Sequence, residues 1–164
     1  HSHNPIEHMK SRIKTPESIL EKLQRKGLPV TAEGAGELTD IAGIRVVCSF
    51  LSDVYEIADS IISQNDLTLI RKSDYIKNPK PHGYRSLHLI VSVPVFFSSK
   101  VENVPVEIQL RTVSMDTWAS LEHKLRYKYN GEMPDDISDM LLSCADITSN
   151  LDDKMMSAHD RLFA

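Results

Sequence analysis

The sequence predicts an α+β domain, a mixed sheet of about four to five strands flanked by helices and closed by a C-terminal helix. Three observations carry that prediction. Runs rich in β-branched residues, such as Ile44–Phe50 (IRVVCSF), have strand character. Stretches with apolar residues at helical spacing lie between and after them. Prolines and glycines punctuate the joins. A length of 164 residues suits one domain, at roughly 100–200 residues each.

Each element follows in chain order. His1, His3 and His8 read as a frayed start rather than a metal-binding tract, and a chain without an initial Met reads as a trimmed product. Thr15-Pro16 is a helix start and Gly27 with Pro29 the matching stop, giving a helix over Pro16–Lys26. Thr31–Glu37, with Gly34 and Gly36, reads as a mobile loop. After the strand Ile44–Phe50, Ser52 or Asp53 caps a helix to Ser63 with Val54, Ile57, Ala58 and Ile61 on one face. Leu67–Ile70 is a short strand, and Lys77–Arg85 (KNPKPHGYR) is a loop because of its prolines and glycine. Leu87–Phe97 and Val104–Thr112 are strands joined by a polar turn around Ser98–Asn103. A helix over Ser114–Tyr129 carries Trp118, Leu121 and Leu125 as one stripe, and Gly131 and Pro134 end it. The last helix, over Pro134–Leu162, puts Ile137, Leu141, Cys144, Leu151 and Met155 near one side.

Composition narrows the function classes. A formal net charge of −4 disfavours non-specific nucleic-acid binding, which needs a basic excess to displace counterions. The cations here are local, which favours a pocket for a small polyanion. No apolar run approaches the roughly 20 residues that span a membrane, and no signal-peptide pattern is present. Cys48 and Cys144 form neither a local metal motif nor a disulfide framework, so a reducing cytoplasm is the expected home.

Four constellations carry chemistry. Arg12 and Lys14 precede the first helix, on which Ser18 and Lys22 share a face, with Arg25 following. A helix N-terminus with added cations and a hydroxyl makes a polyphosphate cradle; the alternative is a solvated basic face. Asp40 stands at the mouth of a buried strand, where a carboxylate holds a hard cation or merely caps a turn. In Val106–Arg111 alternation sends Val106, Ile108 and Leu110 inward and aligns Glu107, Gln109 and Arg111 on the other face. That row faces either a polar ligand or water. Finally, Asp74–His88 interleaves Lys77, Lys80, His82, Arg85 and His88 with Tyr75 and Tyr84 on a stiff loop. Aromatic faces stack bases and neighbouring cations meet phosphates, unless Tyr84 simply packs on the domain. Together the four describe phosphoryl-type transfer, which is mostly positioning and charge neutralisation.

These residues resemble the RelA/SpoT-type alarmone synthetases, in particular the small single-domain members. The likeness lies in RIKTPESILEKLQRKG, LTDIAGIRVVCSF, DYIKNPKPHGYRSLHL and VPVEIQLRTVSMDTWASLEHKLRYKY, spanning about Pro5 to Asn130. It implies a nucleotidyltransferase-like fold that moves the β,γ-pyrophosphate of ATP to the ribose 3′-hydroxyl of GDP or GTP, giving AMP and (p)ppGpp. By the same resemblance Asp40 holds Mg²⁺, and Glu107 is the general base and also touches the metal. Arg12 and Arg45 stack on adenine, while Lys14, Ser18, Lys22 and Arg25 bind the ATP phosphates. Tyr84 stacks on guanine, and Lys80, His88 and Gln109 contact the acceptor nucleotide. Residues 1–130 become the catalytic domain and 131–164 a helical segment that packs on it or mediates assembly, expected to be a homotetramer.

The chain departs from the family at His82, where Asn usually precedes the Gly-Tyr of the acceptor loop, which bears on how guanine or its phosphates are contacted. No counterpart of the family's hydrolase domain is seen, so alarmone hydrolysis is not expected. A catalytically silent relative or truncated fragment is the alternative reading, and retention of both Asp40 and Glu107 argues against the silent relative. An RNA-binding module conflicts with the global acidity. A different nucleotidyltransferase would show a close acid pair near Asp40, and none is there.

Overall fold

Alternation decides which side of the sheet becomes core. In the computed structural model, which describes residues 4–163, the five strands are β1 (Ile6–Ile13), β2 (Ala42–Cys48), β3 (Thr68–Asp74), β4 (Leu87–Phe96) and β5 (Val101–Thr112). They lie in the order β1-β2-β5-β4-β3. β2 and β5 run parallel, and every other pair is antiparallel. Val46, Cys48, Leu87, Leu89, Val91, Ile108 and Leu110 are buried on one face with Val54 and Ala58 of α3 (Leu51–Ile62). Each such side chain contributes about 1.5–3 kcal/mol when fully buried.

The opposite face is polar, and the register defines its rows. Arg12, Gly43, Glu107, Ile90 and Arg71 are successive cross-strand partners, as are Lys10, Arg45, Gln109, His88 and Ser73. Directly opposed residues share a face, so cations from β1, β2 and β3 flank the polar row of β5.

Helices complete the layer. α1 (Pro16–Lys26) has the expected bounds, with Thr15 accepting from the Ser18 N–H and Gly27 at φ +66° closing it. α4 (Val113–Lys128) starts at Thr112, whose hydroxyl accepts from Met115 N–H. α5 (Asp135–Phe163) packs along α4: Trp118 Nε1 donates to Leu141 O at 2.8 Å, and Thr112 and Ser114 hydroxyls bond Asp152 at 2.7 and 2.6 Å.

Several elements differ from expectation. His1 and His3 lie outside the described residues, whereas His8 sits in β1, so the start is a strand from Ile6 rather than frayed. Thr31–Glu37 is not a loop throughout but holds a short helix, α2 (Ala32–Gly36), because the Thr31 hydroxyl caps it through Gly34 N–H. β2 begins and ends two residues earlier than Ile44–Phe50, because Phe50 is the N-cap of α3. Neither Ser52 nor Asp53 is that cap; Asp53 reaches back from inside the helix to the Phe50 N–H at 3.0 Å. β3 runs on to Asp74, and the turn between β4 and β5 is shorter than expected. On α4 only Trp118 of the supposed stripe is buried, and Leu121 and Leu125 face outward. On α5 the packed side is Leu141, Ala145, Thr148 and Asp152, while Cys144, Leu151 and Met155 are exposed. Adjacent helical positions differ by about 100°, so the expected single stripe merges two neighbouring ones.

Candidate active site

Asp40 lies two residues before β2, where the chain leaves a turn to enter the sheet, and it is 8% exposed. Its Oδ2 accepts from Lys14 Nζ at 2.9 Å and from Lys22 Nζ at closer range. Burial alone would raise its pKa, but the hydrogen bonds and charges of Lys22 and Lys14 outweigh that and leave it lowered. Oδ1, by contrast, is buried without any partner. A carboxylate oxygen left unsatisfied in this way costs stability unless a ligand completes it.

The basic residues of α1 are only partly gathered around this carboxylate. Ser18, Lys22 and Arg25 follow one another at i, i+4 and i+7, hence along one face. Lys22 reaches Asp40, whereas Ser18 is tied to the Thr15 hydroxyl at 3.1 Å and Arg25 is exposed in the last turn.

Beside them an open cleft of about 240 Å³ is lined by Lys10, Arg12, Gly43, Ile44, Arg45, Glu107 and Gln109. Arg12 lies across Gly43: a Cβ built there would stand 3.7 Å from Arg12 Cγ and Nε. The expected pair Arg12 and Arg45 and the expected base Glu107 therefore share one cleft.

On the far side of Glu107 the polar row is a chain of hydrogen bonds. Gln109 Nε2 donates to Glu107 Oε1 at 2.8 Å, and Arg111 Nη2 donates to Gln109 Oε1 at 2.8 Å and to Tyr84 Oη at 2.7 Å. Tyr84 Oη also meets His88 Nε2 at 2.8 Å. A guanidinium only donates, so the phenol oxygen accepts from Arg111. With the imidazole proton on Nδ1, the phenol gives its own proton to His88 Nε2. Burial, against the opposing charge of Glu107 and aided by Arg111, Lys80 and Arg71, pushes His88 down to about 4. It is a neutral ring at neutral pH.

The loop between β3 and β4 brings in the remaining residues. Lys80 Nζ stands 4.8 Å from the Tyr75 ring centre and 5.3 Å from that of Tyr84. His82 lies nearly parallel to Tyr84, with ring centres 6.3 Å apart, and 6.1 Å from Trp118. Its pKa is lowered by burial, against the charge of Glu122 and with help from Arg126 and Lys80. Gly83 at φ +107° turns the loop, and Arg85 Nη1 donates to Ala145 O of α5 at 2.7 Å.

The sequence reading placed Arg111 in the polar row but gave it no role, and it missed Lys10, Arg71 and Asp116 altogether. Lys10 and Arg12 alternate on the site face of β1, a period-two signal that was available. Arg71 joins only through the register of β3 on β4. Asp116, in the first turn of α4, has Oδ1 3.3 Å from Arg111 and 3.8 Å from Arg45. Nothing in its sequence neighbourhood signals that.

Comparison with known proteins agrees with this geometry. The family described as a region found in RelA / SpoT proteins matches residues 11–132. The chain is 50% identical over 157 residues to the Bacillus subtilis GTP pyrophosphokinase YwaC, covering 95% of this chain and 75% of that one. It is 39% identical to the GTP pyrophosphokinase YjbM of the same organism, over 93% of this chain and 72% of that one. The crystal structure of small alarmone synthetase 1 from Bacillus subtilis bound to its product pppGpp superposes with a TM-score of 0.92. Identity there is 37%, over 99% of this chain and 83% of that one.

Proposed function

This chain belongs to the RelA/SpoT family, and from that premise we propose how its residues divide the work of the reaction. It is a GTP pyrophosphokinase of the small alarmone synthetase kind. It transfers the β,γ-pyrophosphate of ATP to the ribose 3′-hydroxyl of GDP or GTP, leaving AMP and (p)ppGpp.

In our reading ATP enters the cleft with its adenine between Arg12 and Arg45. Lys14, Ser18, Lys22 and Arg25 take the phosphates. Each lysine ammonium has three donors, so Lys14 and Lys22 serve Asp40 and a phosphate oxygen together. The guanine ring stacks on Tyr84, with Lys80, Gln109 and the Nδ1–H of neutral His88 toward the acceptor. Glu107 removes the 3′-hydroxyl proton, the freed oxygen attacks the β-phosphorus, and the bond from that phosphorus to the bridging oxygen of AMP breaks. A ribose hydroxyl is a poor nucleophile and needs such a base within hydrogen-bond reach.

The single observation that best supports this division is the Glu107–Gln109–Arg111 row, which joins the arginine cleft on one side to Tyr84 on the other. A cation also fits: Asp40 has an unpartnered buried oxygen. Among the described residues no group of three or more His, Cys, Asp or Glu is poised for a metal. One or two carboxylates completed by substrate phosphates and water is the pattern of Mg²⁺, so Asp40 and Glu107 would hold it. Bound there, Mg²⁺ neutralises charge on the transferring phosphates.

Three coarser proposals complete the reading. Residues 1–130 are the catalytic unit, and 131–164 form a helical segment that both braces it and mediates a homotetramer. The chain works in the cytoplasm, where its nucleotides are; no helix among the described residues is long and apolar enough to cross a membrane. It needs no nucleic acid.

The test is to mix the protein with Mg²⁺, γ-labelled ATP and GDP and separate products by ion exchange. A labelled guanosine species with equal AMP is expected. Glu107→Gln should abolish it while sparing ATP binding, and near-normal turnover would remove Glu107 as the base. No product from the unaltered chain, with ATP bound, would point to a silent relative.

A further inference from the structure

Asp116 touches both halves of the site. Its Oδ1 stands 3.3 Å from Arg111 Nη1 and 3.8 Å from Arg45 Nη1, and its Oδ2 is 3.9 Å from His8 Nε2. Arg45 lines the arginine cleft. Arg111 holds Tyr84 Oη and Gln109 Oε1, and through Gln109 it orients Glu107.

The two arginines need a shared counter-charge. Arg111 is only 2% exposed, and a guanidinium so deeply placed is costly unless paired. Among the described carboxylates, Asp116 is the one that pairs with it. Arg45 and Arg111 also sit near each other, because Arg45 opposes Gln109 and Val47 opposes Arg111 in the β2–β5 register. Two like charges that close repel unless a carboxylate lies between them. The Nε atoms of both arginines are buried without a partner, and Asp116 is the carboxylate within ion-pair distance of both guanidinium groups.

We propose that Asp116 is a positioning residue that couples the two nucleotide subsites, holding Arg45 and Arg111 as one unit so that each nucleotide binds more tightly once the other is in place. The proposal rests on the reading that ATP lies by Arg12 and Arg45 and the acceptor by Tyr84. Binding of ATP orders Arg45, which fixes Asp116, which fixes Arg111. Arg111 then sets the Tyr84 hydroxyl and the Gln109 amide for the acceptor. The ordering cost is met by whichever nucleotide arrives first, so the second binds at less cost. Linkage requires the same factor in either order.

Calorimetric titration tests this with Mg²⁺, GDP and an ATP analogue carrying a methylene between its α and β phosphorus. Each ligand is titrated alone and with the other saturating. The unaltered chain should bind GDP about five-fold or more tightly when the analogue is present, and the analogue should gain by the same factor. Asp116→Asn is nearly isosteric and only 20% exposed at its side chain. It should bring that factor to about one and raise both KM values, and it should lower the melting temperature because Arg111 loses its carboxylate partner. Asp116→Glu should restore part of the coupling, and it serves as the readout should the Asn variant fold poorly. No coupling in the unaltered chain, an unchanged factor in Asp116→Asn, or a change confined to one nucleotide overturns the proposal. Arg45→Ala and Tyr84→Ala locate a different failure. Intact analogue binding in the first, or intact GDP binding in the second, sinks the subsite placement on which the coupling depends.

Discussion

Tyr84 has two separable parts, a ring and a hydroxyl, and the site uses both. The ring lies between the charges of Lys80, 5.3 Å from its centre, and Arg111, whose Cζ is 5.4 Å away. The hydroxyl relays a proton direction from Arg111 to His88. Stacking on an aromatic is worth roughly 1–3 kcal/mol per base, so Tyr84→Ala should raise the acceptor KM by roughly 5- to 150-fold. Tyr84→Phe keeps the ring but leaves His88 Nε2 without its phenol partner and Arg111 Nη2 bonded to Gln109 alone, so its KM should fall between. Equal losses in the two variants would move the role from ring to hydroxyl, and an unchanged KM in Tyr84→Ala would return Tyr84 to the core. His88 has its own signature. Its folded pKa of about 4 lies below the usual histidine value of 6.5, so the unfolded chain binds the proton more readily. Stability should therefore decline as pH falls from about 6.5 toward 4. Chemical denaturation across that window should show a shallower decline in His88→Gln, and an NMR titration should find no His88 inflection above pH 5. An inflection near 6.5 would mean a solvated ring and a different Tyr84 contact.

Among elements, the acceptor loop shows most plainly how the fold holds the site. Gly83 N–H donates to Lys80 O at 2.8 Å and Lys80 N–H to Tyr84 O at 3.1 Å, so the loop is pinned on both sides of its turn. A Cβ on Gly83 would lie 2.8 Å from Ala145 Cβ and 3.1 Å from Trp118 Cζ2, at a φ of +107° that L side chains resist. Gly83→Ala should therefore cost on the order of 1–3 kcal/mol in backbone strain alone, and more from the clash with α5. Melting temperature should drop and acceptor KM rise while ATP affinity holds. Unchanged melting and KM would mean that the loop is not braced by α5. Elements with a strong local signature were legible from sequence: Thr15 and Gly27 bracket α1, and the alternation in β4 and β5 separates core from site. β1 escaped because it is an edge strand whose residues, after half-buried Ile6, are all exposed. Its period-two signal at Lys10 and Arg12 is therefore not matched by a buried core side. The candidate site was legible where a motif falls on the strand or loop that carries it, at Asp40, Glu107 and Tyr84. It was not at Asp116 or Arg71, which reach it only through helix placement and strand register.

For the molecule as a whole, local charge departs from net charge. The net charge is −4, yet Lys10, Arg12, Arg45 and Arg71 share the sheet face that carries Glu107. Such a local field draws in nucleotide polyanions without making the protein a general nucleic-acid binder. Exposed apolar side chains occur on several elements, Leu121 and Leu125 of α4 and Phe96 of β4 among them, and α5 carries a run of them. Met140, Ile147, Leu151, Met155 and Leu162 are 61%, 64%, 50%, 53% and 75% exposed. With Cys144 and Ala158 they follow one another three or four residues apart, which keeps them along one side of the helix. Scattered exposed apolar residues need no explanation, but a stripe running most of a 29-residue helix marks an interaction surface. The inner side of the same helix is already engaged through Leu141, Ala145 and Asp152. The outer stripe is free to serve the proposed tetramer. Leu151→Glu places a charge at its centre without touching those inner contacts, so the subunit should stay folded while assembly weakens. Light scattering should report four chains for the unaltered protein and fewer for the variant at equal concentration, with unchanged circular dichroism. A variant that remains fully assembled would move the interface off α5, and an unaltered protein that is already monomeric would end the tetramer proposal.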